Sequence, residues 1–206
     1  MNPTIASQTV LALVLAAGQG QRFGSDKRRA VLADGRPLLA ATLMQAQRQF
    51  ARVFVLLRDS DDAQLLGVPA GVEVLRCADA EAAQGMGHSL AAAVRALQGH
   101  AGNANAVLLG DMPWVRGETL QALAMQACTQ RIVFPQVAGE RGHPVLFGRA
   151  FWAHLQQLNG DSGARTVLAA HPQACFAVAV DDSGVLRDVD TPAALSRAAD
   201  GVACAL

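Results

Sequence analysis

Residues 11–27 read LALVLAAGQGQRFGSDK and join a short apolar run to a loop rich in glycine. The run 11–16 is apolar throughout, which is typical of a strand buried on both faces of a parallel sheet. Further short apolar runs alternate along the chain with longer stretches rich in Ala, Leu and Gln. This alternation predicts an α/β fold with a largely parallel sheet. Ligands of such sheets bind at the carboxyl ends of the strands, so the loop after residue 16 is the first place to look for a site.

The pattern predicts a specific set of elements. Strands are expected at 11–16, 53–58, 72–76, 106–109, 132–135, 145–147 and 176–180. Helices are expected at 38–50, 61–66, 87–97, 117–127, 149–157, 163–170 and 192–199. With 206 residues, the whole chain 1–206 is expected to form a single domain.

Composition excludes several classes of function. Seventeen basic residues balance seventeen acidic ones, so no global field attracts the chain to nucleic acid or to an acidic membrane. The four cysteines form no C-x-x-C pair and are expected to be buried thiols rather than zinc ligands. The apolar run at 10–17 has no basic region before it and is shorter than the ~20 residues of a membrane span, so we expect a cytoplasmic protein.

The glycine loop has the composition of a triphosphate site. Gly18, Gly20 and Gly24 allow backbone N–H groups to approach an anion, and Arg22 and Lys27 add positive charge. Lys27 is the only lysine beside sixteen arginines, which favours a role for its compact ammonium group. The spacing fits neither a Walker P-loop nor a G-x-G-x-x-G dinucleotide motif. An ordinary strand–helix turn is the alternative.

A carboxylate follows the fourth predicted strand. Residues 108–115 read LLGDMPWV, and Asp111 lies where a strand end would present it to Mg²⁺ and a nucleotide phosphate. Capping of the helix predicted from residue 117 is the alternative role for Asp111.

Four further loops carry polar residues. QGMGHSL at 84–90 offers His88 and Ser89 at a helix start, and GHPVLF at 142–147 offers His143 beside a strand. GDSGAR at 160–165 offers Asp161 as a helix cap and Arg165 to an acceptor phosphate or to solvent. DVDTP at 188–192 places two carboxylates before a helix start. Each loop also has a purely structural interpretation.

Taken together, these motifs resemble the MobA-like NTP transferases, especially the molybdenum cofactor cytidylyltransferases. The family's first loop, L-A-A-G-x-S-x-R-[MF]-G-x-x-K, is matched from Leu15 to Lys27, with Gly20 in place of its serine. G-D-M-P-x-V, G-M-x-x-S-L, G-H-P-V-x-F, G-D-x-G-A-R and D-[IV]-D-T-P also occur here. Arg28 and Arg29 replace the apolar residues that often follow the lysine, and this change is expected to alter contacts to the acceptor.

The resemblance implies a fold and a reaction. The fold would be a Rossmann-like three-layer αβα structure of the nucleotide-diphospho-sugar transferase type, with an antiparallel insertion near residues 133–147. The reaction would move a nucleoside monophosphate from an NTP to a phosphorylated acceptor and release pyrophosphate. Because an acceptor phosphate is already anionic, positioning and charge neutralisation by Mg²⁺, Lys27 and Arg22 would suffice.

Site residues follow from the matched motifs. The resemblance implies catalytic roles for Arg22, Lys27 and Asp111. It implies a metal site at Asp111 and Asp190, with Asp188 as the fallback for Asp190. The implied nucleotide-binding residues are Leu15, Ala16, Ala17, Gly18, Gly20, Gly24 and Gly85. The implied acceptor-binding residues are His88, Ser89, His143, Asp161 and Arg165.

Substrates are implied less directly. The Ala16–Ala17–Gly18 triplet is similar to that of the cytidylyltransferase branch and favours CTP. One extra methyl group in a pocket changes the discrimination between bases of different size by ~1–3 kcal/mol. By the same resemblance the acceptor would be molybdopterin, and a molybdoenzyme or its maturation chaperone would be the protein partner.

Three alternatives remain open at this point. A guanylyltransferase or sugar-phosphate nucleotidyltransferase would share the fold and the metal site. A non-catalytic nucleotide- or cofactor-binding maturation protein would bind its ligand and release no pyrophosphate. An NAD(P)-linked oxidoreductase would use the glycine loop, but it leaves Lys27 and Asp111 without a role.

Overall fold

A computed structural model describes residues 10–18, 23–191 and 194–195. Its centre is one mixed sheet with eight strands in the described part of the chain. The strands are β1 (Val10–Leu15), β2 (Arg52–Arg58), β3 (Val72–Cys77), β4 (Ala104–Leu109), β5 (Ile132–Val137), β6 (Glu140–Arg141), β7 (Val145–Gly148) and β8 (Cys175–Ala179).

The order of the strands is β3-β2-β1-β4-β7-β5-β6, and β8 pairs with β5. Strands β3, β2, β1 and β4 are parallel, with Leu15 of β1 opposite Leu56 of β2 and Leu109 of β4. β7 runs antiparallel to both β4 and β5, and β6 runs antiparallel to β5. The prediction of a mostly parallel sheet with an antiparallel insertion is therefore confirmed.

Helices cover both faces of this sheet. They are α1 (Leu38–Gln49), α2 (Asp79–Ala82), α3 (Met86–Ala96), α4 (Gly117–Gln126), α5 (Trp152–Leu155) and α6 (Arg165–Ala170). Alternate strand residues point to opposite faces: Val14 packs with α1 and α4, whereas Leu13 packs with α3, α5 and α6. The predicted three-layer αβα arrangement is confirmed.

Two predicted helices differ from the structure. Residues 61–66 form turns, because the Asp62 carboxylate accepts from the backbone N–H groups of Gln64 and Leu65 and Gly67 follows with φ of 69°. Residues 149–157 form a 3₁₀ turn at Arg149–Phe151 and then the short helix α5. Strand β6 and helix α2 are too short to have been predicted from periodicity. Most of the helix predicted at 192–199 lies outside the described residues.

The expectation of buried thiols holds only for Cys77 among the described cysteines, since Cys128 and Cys175 are partly exposed. Cys77, Cys128 and Cys175 are free, and Cys204 lies outside the described residues. Burial, together with nearby carboxylates, raises the pKa of Cys77 to about 11, so its thiol is a packing group. Among the described helices, none has the length and apolar character needed to cross a bilayer.

Candidate active site

Two adjoining cavities open at the carboxyl ends of β1 and β4. The larger has a volume of about 780 Å³ and is lined by the loop after β1, the start of α3 and the carboxylates after β4. The smaller has a volume of about 420 Å³ and lies beside β7 and the segment before α6. Asp188, Asp161 and Arg165 line both cavities, so the two spaces meet at these side chains.

Three carboxylates gather in the larger cavity, and one of them, Asp188, also lines the smaller one. Asp111, Asp188 and Asp190 each offer an oxygen within 4.8 Å of the others. The N–H of Val189, which lies between Asp188 and Asp190, donates to the carbonyl of Asp111 at 3.0 Å. This bond holds the segment of Asp188 and Asp190 against the loop after β4. Asp111 follows β4 directly, and this explains why one of the three could be found as a strand-end residue.

Lys27 lies among these carboxylates. Its Nζ donates to Oδ2 of Asp111 at 2.6 Å and to Oδ1 of Asp190 at 3.0 Å. Burial disfavours the ammonium form, but the hydrogen bonds and charges of Asp111 and Asp190 outweigh it and raise the pKa of Lys27. Lys27 is therefore a permanent positive charge at neutral pH.

The carboxylate cluster fits a divalent cation. Burial, together with the charges of Asp190 and Asp111, raises the pKa of the Asp188 carboxyl, and Lys27 offsets this only in part. Oxygen atoms of carboxylates are also the ligands that Mg²⁺ and Mn²⁺ prefer. Both the charge and the donor set therefore match a hard divalent metal.

A buried carboxylate holds the segment that carries Asp188 and Asp190. Asp182 is 3% exposed and accepts from the Thr119 hydroxyl at 2.6 Å and from the N–H of Arg116 at 2.8 Å, both at the start of α4. It also accepts from the N–H of Gly184 at 3.0 Å, in the turn Ser183–Leu186. Asp182 thus joins α4 to the turn that precedes the carboxylate pair.

Changing Asp182 to alanine is expected to lower the free energy of unfolding by about 3 kcal/mol, because buried donors lose a charged acceptor. Urea unfolding followed by circular dichroism measures this. Asp181→Ala is the matched control, since Asp181 is exposed and adjacent. Equal effects of the two substitutions would show that Asp182 does not anchor this segment.

The larger cavity is lined by five of the predicted nucleotide-binding residues. Leu15 lines it from the end of β1, Ala16, Ala17 and Gly18 line it from the loop that follows, and Gly85 lines it from the start of α3. Gly24 has φ of 77° and is not among the lining residues. Gly20 and Arg22 lie outside the described residues, so their predicted roles stay predictions.

The smaller cavity contains most of the predicted acceptor residues. His143, Asp161 and Arg165 line it together with Arg141, which sequence reasoning did not select. Burial lowers the pKa of His143; Asp111 partly offsets this, and Arg141 and Arg165 add to it. His143 is therefore neutral at pH 7, and its buried Nδ1 has no hydrogen-bond partner within the described residues.

His88 and Ser89 differ from the other predicted acceptor residues in position. His88 lines neither cavity; its Nδ1 accepts from the N–H of Gly160 at 3.0 Å and so holds the loop before α6 against α3. Ser89 is buried and lines the larger cavity rather than the smaller one. Of these two residues, only Ser89 therefore contacts a cavity, and it is the larger one.

Gly85 lies where two chain segments meet closely. With φ of 114°, it adopts a conformation that L-residues with a Cβ rarely take. A Cβ here would lie 2.2 Å from Oδ1 of Asp161 and 2.7 Å from the carbonyl of Gly160. Only glycine therefore allows the start of α3 to lie this close to Gly160 and Asp161.

Changing Gly85 to alanine is expected to lower kcat/KM about 10²-fold, because the added methyl group must displace Asp161 and the backbone beside it. Steady-state kinetics on the folded variant measures this loss. Gly99→Ala is the control, because a Cβ on Gly99 meets nothing within 4 Å. Unchanged kinetics in Gly85→Ala would contradict the tight packing of these loops.

Two residues of the site could have been found more directly from sequence. Asp188 lies two residues before Asp190, and a D-x-D pair in a loop can place both carboxylates on one metal. Arg141 directly precedes the GHP motif. Arg28 and Arg29 were both expected to affect acceptor contacts. Arg28 is instead buried and paired with Asp26 and Asp61, and Arg29 is exposed and lines neither cavity.

Comparison with known proteins agrees with this geometry. A family described as the MobA-like NTP transferase domain matches residues 12–175. The purine catabolism protein PucB of Bacillus subtilis is 28% identical over 196 residues, which cover 90% of this chain and 94% of that protein. The bifunctional protein GlmU of Paracidovorax citrulli is 36% identical over 138 residues, but the match spans only 28% of its length.

A solved structure extends the comparison to a metal complex. Rv0371C of Mycobacterium tuberculosis H37Rv, in complex with manganese, superposes with a TM-score of 0.75 at 25% identity, covering 92% of this chain and 97% of that one. The family match covers well over half of the 206 residues. The chain therefore belongs to the MobA-like NTP transferase family and is a nucleotidyltransferase.

Proposed function

We propose that this protein transfers a nucleoside monophosphate from CTP to the phosphate of molybdopterin, with Mg²⁺ as cofactor. One observation carries the proposal: Lys27, Asp111 and Asp190 line the larger cavity next to Asp188, which lines both cavities. Two substrates bound in the two cavities would bring their reacting phosphates together at this point.

The reaction needs an acceptor oxygen, an α-phosphorus and a leaving group in line. An acceptor phosphate oxygen forms a bond to the α-phosphorus of CTP, the bond from that phosphorus to the β-phosphate oxygen breaks, and pyrophosphate leaves with the electron pair. No residue has to remove a proton from the acceptor, since its phosphate oxygen is anionic. Positioning and charge therefore account for the rate.

Each group at the junction has a defined task. Asp111, Asp188 and Asp190 would hold the divalent cation, which neutralises phosphate charge when bound. Lys27 supplies a fixed positive charge from the nucleotide loop, and we propose that it contacts the phosphates when substrate enters. Gly18 lines the same cavity as Lys27, and among the described residues no atom would meet a Cβ at Gly18, so phosphate oxygens could approach its N–H group.

The acceptor half suits an anionic ligand. Arg141 and Arg165 supply two guanidinium groups to the smaller cavity, which three carboxylates also line. His143 supplies a neutral imidazole whose buried Nδ1 has no hydrogen-bond partner among the described residues. These groups support binding of a phosphorylated acceptor through charge-assisted hydrogen bonds. We propose a molybdoenzyme or its maturation chaperone as the protein that receives the product.

Sugar-phosphate nucleotidyl transfer is the second candidate, because it would use the same fold and the same metal site with a different acceptor. Incubation with α-³²P-labelled CTP and either molybdopterin or a hexose 1-phosphate, followed by chromatography of the product, separates the two. Labelled cytidylyl-molybdopterin alone supports our proposal. A labelled nucleotide sugar alone would replace the acceptor and leave the transfer chemistry intact.

A further inference from the structure

Arg28 is a buried arginine in the wall of the larger cavity, and its guanidinium group is fully hydrogen-bonded. Nε and Nη2 donate to the carboxylate of Asp26 at 2.8 and 2.7 Å. Nη1 and Nη2 donate to Asp61 at 2.6 and 2.7 Å, and Nη1 also donates to the carbonyl of Ala16 at 2.7 Å. These bonds equal the five N–H donors that an arginine possesses.

The partners of Arg28 flank the glycine loop on both sides. Ala16 directly follows β1 and begins the loop, whereas Asp26 ends it. One side chain therefore joins the beginning and the end of the segment that lines the larger cavity. Since Asp61 belongs to the turn after β2, the same side chain also ties the loop to the neighbouring strand.

The network is rigid and charged. Asp61 also accepts from the backbone N–H of Arg58 at 2.9 Å and from its Nη2 at 2.9 Å. Burial opposes ionisation of Asp61, but the hydrogen bonds from Arg28 and Arg58 hold the pKa of its carboxyl well below the usual range. Arg28 has 7% of its side chain exposed, so its bonds are little weakened by solvent.

Arg28 is also adjacent to Lys27. Both belong to the 3₁₀ turn Lys27–Arg29, in which the Asp26 carboxylate accepts from the backbone N–H of Arg28 at 3.1 Å. Fixing Arg28 to Asp61 and Ala16 sets the orientation of this turn, and Lys27 then reaches Asp111 and Asp190 on its other side. Arg29 is exposed and forms no part of this network.

We propose that Arg28 is a positioning residue that fixes both ends of the nucleotide loop and thereby sets the affinity of the enzyme for the NTP. The inference rests on the proposed function, because it assigns the larger cavity to the NTP. Loss of Arg28 leaves Asp61 and Asp26 without their shared cation and frees the carbonyl of Ala16. The described ends of the loop, at Ala16 and at Asp26, then lose the contacts that hold them together, and NTP binding must restore that arrangement.

The test compares two variants of the buried arginine, Arg28→Met and Arg28→Lys, with a control, Arg29→Met. The control makes the same change as Arg28→Met at the neighbouring, exposed arginine. Isothermal titration with CTP, GTP, ATP and UTP in the presence of Mg²⁺ gives the NTP affinity without turnover. Steady-state kinetics then gives KM for the NTP and for the acceptor separately. Thermal unfolding reports whether each variant is folded.

We expect KM and Kd for the NTP to rise about tenfold in Arg28→Met, with KM for the acceptor unchanged. Arg28→Lys should fall between Arg28→Met and wild type, because an ammonium group keeps the charge but cannot reach all partners. Arg29→Met should match wild type. If Arg28→Met does not fold, Arg28→Lys carries the same comparison.

Outcomes separate this inference from the proposed function. Unchanged NTP affinity in folded Arg28 variants, even with a lower melting temperature, would reduce Arg28 to a stabilising residue and overturn the inference. Equal rises in KM for both substrates would overturn it as well. Failure of the wild type to bind any NTP would instead remove the proposed function.

Discussion

Asp111→Asn is expected to lower kcat/KM about 10³-fold, because a ligand of the proposed metal loses its charge while the side chain keeps its size. Asp111 lies within 4.8 Å of Asp188 and Asp190 and is bound by Lys27 at 2.6 Å. The loss should appear with every acceptor that the wild type uses. Initial-rate kinetics at saturating Mg²⁺ measures it.

The control for Asp111→Asn is Asp181→Asn, which removes an exposed carboxylate that lines neither cavity. Its kinetics should equal those of wild type. Direct titration with Mn²⁺, followed by electron paramagnetic resonance, should show weaker binding only in Asp111→Asn. If Asp111→Asn keeps wild-type turnover and Mn²⁺ affinity, the carboxylate cluster is not the metal site.

Lys27→Met is expected to have two effects of opposite direction. Turnover should fall about 10²-fold, since a cation near the reacting phosphates is lost. Mn²⁺ binding to the free protein should tighten about tenfold, because an ammonium group no longer bonds Asp111 and Asp190 and no longer repels the metal. If Lys27 had a purely structural role, Lys27→Met should instead bind both Mn²⁺ and the NTP more weakly.

Two variants serve as controls for Lys27→Met. Lys27→Arg keeps the charge, so Mn²⁺ affinity should stay near that of wild type, while the planar group should still reduce turnover. Arg29→Met removes an exposed cation two residues away and should change neither quantity. Turnover in Lys27→Met equal to wild type would exclude a catalytic role for the lysine.

Much of the fold could be predicted from sequence because its signals are local. Apolar runs such as residues 11–16 and 53–58 are buried on both faces and need no distant contact to be recognised as strands. Residues 61–66 were predicted wrongly because side-chain bonds of Asp62 compete with helix formation. Short elements such as β6 form only because β5 lies beside them.

The candidate site was only partly accessible from sequence, for a different reason. Asp111 and Asp190 could be selected as loop carboxylates, and the structure brings both to Lys27. The role of Asp182 could not be predicted, because its partners are 63 and 66 residues away. The pairing of Arg28 with Asp61 could not be predicted either, because the two residues are 33 positions apart in the sequence.

Pyrophosphate release tests the central claim most directly. Wild type and Asp111→Asn would be given CTP, GTP, ATP and UTP in turn, each with Mg²⁺ and molybdopterin. We predict release with CTP by the wild type that is almost abolished in Asp111→Asn. Release with GTP alone would discard the base assignment and keep the chemistry, whereas no release with any NTP from a folded protein would contradict the account.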